Sequence, residues 1–89
     1  MNVIDIETKS LDSEHPEFAL QPWRALDGKA KISFVAIGNE KPALYDSESD
    51  FFKYWSSTTG PYVCWNTIFD LSFLLAYRED YADRQWLDA

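Results

Sequence analysis

Eighty-nine residues, 46% apolar and 17% aromatic, suffice for one small domain with a core and exclude a disordered chain. A net charge of −7 argues against a non-specific polyanion binder, yet leaves room for nucleic acid where cations neutralise the acids. A single cysteine, Cys64, gives neither a disulfide framework nor a zinc cluster, and no apolar run approaches ~18 residues. The expectation is a soluble, cytoplasmic protein without a membrane span or export signal.

Val3-Ile4-Asp5-Ile6-Glu7 reads as the first strand, three β-branched residues interrupted by two carboxylates. In a strand, residues i and i+2 share a face, so Asp5 and Glu7 stand side by side while Ile4 and Ile6 point the other way. Two neighbouring anions repel and lose hydration, which a hard divalent cation would relieve. An exposed strand edge accounts for the pair equally well on these residues alone. From Thr8 to about Ala30 the sequence predicts a long connection with Pro16 and Pro22 and little regular period, a length that points to function or flexibility. Within it, Trp23-Arg24, Lys29 and Lys31 form a small basic and aromatic group. Such residues can touch a phosphate backbone and a base, though a solvated hairpin shoulder with one buried Trp is the better reading. His15 has no partner spacing and reads as a surface loop residue.

Ile32–Ile37 predicts the second strand, the turn Gly38–Pro42 follows, and Ala43–Tyr45 predicts a third; with the first they make an antiparallel meander. Asp46-Ser47-Glu48-Ser49-Asp50 is a helix-start signal, with Phe51, Phe52 and Trp55 as the buried stripe of a helix ending before Thr59-Gly60-Pro61. Tyr62–Trp65 predicts a fourth strand, reached through a helix and therefore parallel to the first. Asn66–Tyr77 predicts a helix apolar almost all round and so mostly buried, with Asn66 as its N-cap and Asp70 in its first turns. Arg78–Asp83 is polar and ends it, and Trp86-Leu87-Asp88 starts a fifth strand. Cys64 reads as a small buried apolar residue. The fold class is α/β with a mixed sheet, strands 1–3 antiparallel and strand 4 parallel to strand 1. Ligand sites in parallel arrangements gather at the carboxyl ends of the strands, which would bring Asp5, Glu7, Asn66 and Asp70 to one cleft.

Asp5-Ile6-Glu7-Thr8-Lys9-Ser10-Leu11 and Asn66-Thr67-Ile68-Phe69-Asp70 together resemble the first two motifs, D-x-E-T-x-S-L and N-x-x-[FY]-D, of the DEDD 3′–5′ exonucleases. Trp86-Leu87-Asp88-Ala89 is similar to the W-x-D-T segment that starts the next strand, and the likeness spans the chain. The form is closest to the proofreading domain attached to family A DNA polymerases of phages and bacteria. The resemblance implies a ribonuclease H-like fold in which residues 1–89 are the N-terminal part of a single exonuclease domain, truncated at the start of strand 5. The third motif, with the fourth acid and its Tyr or His, has no counterpart here. Trp65 also stands where many relatives have His or Gly.

What the resemblance implies chemically is two-metal hydrolysis of the 3′-terminal phosphodiester of single-stranded DNA, releasing nucleoside monophosphates. Asp5, Glu7 and Asp70 would be the catalytic acids and ligands of two Mg²⁺ or Mn²⁺ ions. Thr8, Leu11, Asn66 and Phe69 would contact substrate, with Leu11 wedging between the last two bases; Leu11 as plain core is the competing reading. The covalent partner would be a polymerase domain. With the fourth ligand missing, these residues alone are expected to show little or no nuclease activity. Two other readings stand beside this one: a catalytically silent ribonuclease H-like docking module, and a ribonuclease of the same superfamily.

Overall fold

Alternation decides which way the first strand faces. A computed structural model describes residues 2–38 and 42–89, and in it β1 (Asn2–Ser10) buries Ile4 and Ile6 while Asp5 and Glu7 stay exposed. The strand runs three residues past the predicted end because Thr8, Lys9 and Ser10 continue to pair, with Ile32, Lys31 and Ala30 of β2 (Ala30–Gly38). Between Glu7 and Thr8 the register slips, Glu7 facing Phe34 and Thr8 facing Ile32, so Ser33 is the extra residue of a bulge. Its hydroxyl donates to the Glu7 carbonyl at 3.1 Å. The expected turn residues Asn39, Glu40 and Lys41 lie outside the described residues.

The expected long irregular connection is shorter and more ordered than its sequence suggests. Pro16–Leu20 forms a 3₁₀ turn and Trp23–Leu26 a single helical turn, α1. The residue that anchors them is Phe18, 6% exposed, not Trp23, which is 57% exposed. Arg24 lies over the Phe18 ring at 4.1 Å, and the Thr8 hydroxyl ties the turn to β1 through the Ala19 carbonyl at 2.5 Å. Leu11 is 54% exposed, which removes its reading as plain core. His15 is exposed as expected, stacked on Phe18 beside Glu17.

β3 (Ala43–Tyr45) adds antiparallel to β2, and α2 (Glu48–Ser56) follows, its amino end capped by Ser47, whose hydroxyl accepts from Asp50 N at 3.2 Å. Phe51 and Trp55, one turn apart, bury its inner stripe. β4 (Tyr62–Cys64) then pairs parallel with Asn2 and Val3, and β5 (Trp86–Asp88) parallel with β4. The sheet order is β3-β2-β1-β4-β5, a mixed α/β sheet with strands 1–3 antiparallel and strand 4 parallel to strand 1.

α3 (Thr67–Leu75) starts at the Asn66 cap, which accepts from Phe69 N at 3.4 Å. It is less buried than its composition predicts: Asp70, Phe73 and Leu74 point inward, while Ile68 is 84% exposed. Phe51, Trp55, Phe73 and Leu74 join one core with Ile4, Ile6, Val35 and Ile37. Both helices therefore cover the same sheet face, as two successive right-handed crossovers in one direction require. The segment after α3, polar in sequence, is a 3₁₀ turn (Glu79–Asp83) that contributes the fully buried Tyr81. Its hydroxyl and the Arg78 guanidinium both donate to Glu48 at 2.7 Å, closing α2 against the end of α3. Among the described residues, no helix is long and apolar enough to cross a membrane.

A candidate acidic site at the carboxyl ends of two parallel strands

β1 and β4 run the same way, so their carboxyl ends open on the same side of the sheet. Because β1 continues to Ser10, Asp5 and Glu7 lie in mid-strand, just past the level at which β4 ends, both exposed on the face opposite Ile4 and Ile6. β4 leads through Trp65 and Asn66 into α3, whose first turns hold Asp70. Trp65 is 77% exposed beside this end.

Asp70 is the buried member, only 6% exposed. Burial pushes its carboxyl up from 3.8 to about 6; the neighbouring Cys64 thiol opposes the rise, and the charges of Asp5 and Glu7 add to it. Cys64 is fully buried, as expected of a small core residue, and burial and the neighbouring Asp70 charge push its thiol up, so it stays protonated. The side chains do not form a closed ligand cluster. Among the described residues, no three His, Cys, Asp or Glu groups stand close enough together to hold a metal ion.

The amino end of α3 is tied down twice more. Asp88 of β5 accepts from Thr67 N at 2.9 Å, and the Thr67 hydroxyl donates to the Leu87 carbonyl at 2.9 Å. Sequence reading gave Asp88 only a place at a strand start; its role in holding the helix that carries Asp70 emerges from the parallel pairing of β4 and β5. No family model matches this chain, and neither does any curated protein or solved structure.

Of the remaining predicted site residues, Thr8 is engaged with the Ala19 carbonyl, Asn66 spends its side-chain oxygen on the cap, and Phe69 packs against Phe73 with ring centroids 5.2 Å apart. Leu11 is free of the core, two residues beyond Lys9 on the way out of β1. The three acids are hard oxygen donors of the type that suits a divalent cation, but among the described residues they are not gathered closely enough to hold one.

Proposed function

We propose that this chain is the metal-binding core of a ribonuclease H-like 3′–5′ exonuclease domain of the kind linked to DNA polymerases. The observation that carries the reading is the shared exposed face of Asp5 and Glu7 on β1, just past the level where its parallel neighbour β4 ends and leads into the helix of Asp70. The motifs D-x-E-T-x-S-L and N-x-x-F-D contain all three acids.

Asp5, Glu7 and Asp70 would hold Mg²⁺ or Mn²⁺, which when bound supplies Lewis acidity and a water of lowered pKa. The protein's own part is to place negative oxygens at that point and to keep one of them dry. Asn66 and Asp88 fix the helix end that aims Asp70. Trp65 offers exposed apolar surface at the end of β4 for an unpaired terminal nucleotide, and Leu11 offers more beyond the end of β1. Single-stranded 3′ ends are the substrate, because an unpaired base reaches such a pocket at the lowest unstacking cost.

A silent docking module of the same fold is the second reading, favoured by the absence of a closed three-group ligand cluster among the described residues. Mn²⁺ titration separates the two. The exonuclease reading expects Mn²⁺ to stabilise the protein by about 2.7 kcal/mol at a hundredfold excess over its Kd, with Asp5→Ala abolishing the response. A melting temperature indifferent to Mn²⁺ refutes it.

A further inference from the structure

Most of the described basic side chains are already occupied. Arg24 pairs with Asp27 at 3.3 Å, Lys53 with Asp50 at 3.6 Å and Arg78 with Glu48 at 2.7 Å, while the Arg84 guanidinium donates to the Thr58 carbonyl at 2.6 Å. Lys9 and Lys31 make no ion pair among the described residues, and both are exposed. They also stand directly opposite each other in the β1–β2 ladder. Opposed side chains in an antiparallel pair have Cβ atoms about 4.5–5.5 Å apart, and like charges there are destabilising. A protein of net charge −7 has placed two unpaired cations side by side at one point.

That point is on the acidic face. Along β1 the residues sharing a face are Asp5, Glu7 and Lys9, so the lysine follows Glu7 by about 6.6 Å of strand. The bulge at Ser33 lies between, restoring the pairing that sets Lys31 opposite Lys9. Read outward along β1, the face offers carboxylates first and then a pair of ammonium groups.

We propose that Lys9 and Lys31 form a phosphodiester subsite that holds the backbone of a single strand whose 3′ end reaches Asp5, Glu7 and Asp70. The inference rests on the exonuclease reading and adds the element that reading lacks, a source of attraction for a polyanion on an acidic protein. Two ammonium groups converging on one phosphate relieve their own repulsion, and the acids beyond repel the backbone unless a divalent ion is present. The strand is thereby held in register with its terminus at the carboxylates. The readout is sequence-independent, since lysine recognises phosphate as a point charge.

The test is fluorescence anisotropy of the 89-residue protein with a labelled oligothymidylate, in EDTA, across a salt series. Wild type is expected to bind with an affinity that falls with salt, and the Lys9→Gln/Lys31→Gln variant to lose about 1.4 from the magnitude of the log–log slope, about 0.7 for each phosphate contact on a single strand. At low salt its affinity falls at least about fivefold. Lys53→Gln, which removes a charge elsewhere, leaves the slope unchanged, and thermal melting shows that each variant is folded. An unchanged slope in the folded double variant overturns the proposal, as does wild type that shows no salt-dependent binding. If the lysines serve only to blunt an exposed strand edge, the variant self-associates in sedimentation while binding is unaffected, and the proposal falls. Mn²⁺ stabilisation of the same proteins keeps the two readings apart: lysine-dependent binding without any Mn²⁺ response sinks the exonuclease reading and leaves the phosphate subsite standing.

Discussion

Replacing Asp70 by Asn should make this protein more stable near neutral pH, because it takes a charge out of a buried position. The carboxyl is raised from 3.8 to about 6 by burial and by the charges of Asp5 and Glu7, against the help of the Cys64 thiol. A rise of that size disfavours the charged form by about 3 kcal/mol, at 1.36 kcal/mol for each pH unit. Because the native carboxyl binds its proton more tightly than the unfolded one, stability is lost as pH climbs from about 4 to about 6, and is then flat. The amide of Asn carries no charge. Asp70→Asn should therefore gain about 1–3 kcal/mol above pH 6, shift the melting temperature upward by about 4–8 °C for each kcal/mol in a domain of this size, and flatten the profile between pH 4 and 6. Urea denaturation of both proteins across that range measures it. A variant less stable than wild type at neutral pH, or a wild-type profile already flat through the window, refutes the reasoning. Mn²⁺ gives the complementary sign, stabilising wild type and leaving Asp70→Asn unmoved.

Glu48 is 9% exposed and accepts from both Arg78 and Tyr81, so Glu48→Ala leaves a buried hydroxyl and a guanidinium without their partner. The expected loss is about 3 kcal/mol in chemical denaturation. At Gly60, φ is +75° and an added Cβ would stand 3.0 Å from the Tyr62 ring, whereas Gly28, at φ +77°, has open space around it. Gly28→Ala should cost about 1–2 kcal/mol for the left-handed backbone alone, and Gly60→Ala measurably more in the same urea titration.

The strands were largely legible because their signals are local. Ala43–Tyr45 and Trp86–Asp88 appear at their predicted residues, and the crossover rule correctly made β4 parallel to β1. Two caps, Ser47 and Asn66, were readable from residue type and position. The misses share one cause, burial decided by distant parts of the chain. Tyr81 sits in a polar stretch yet is fully buried, because Glu48, thirty-three residues earlier, supplies its hydroxyl with an acceptor. Phe18 and Trp23 exchange the roles their sizes suggest, since a guanidinium stacked on Phe18 completes its cover. α3 reads as apolar all round, but the sheet covers only one of its sides and leaves Ile68 outside. At the acidic end, the shared face of Asp5 and Glu7 follows from strand alternation. The burial of Asp70 beside Cys64 does not, since an acid in the first turns of a helix reads equally well as a solvated partner of the helix dipole.

β1 is laced to neighbours on both flanks only at Asn2 and Val3, where β4 pairs with it; from there outward its ladder is with β2 alone. The amides of the outer half thus lean on a single row of hydrogen bonds, interrupted further by the irregularity at Ser33. In deuterium exchange this half should open without disturbing the strand's inner half, whose Ile4 is fully enclosed. The carboxylates of Asp5 and Glu7 thus stand on the singly paired stretch of a strand whose amino end is held on both flanks.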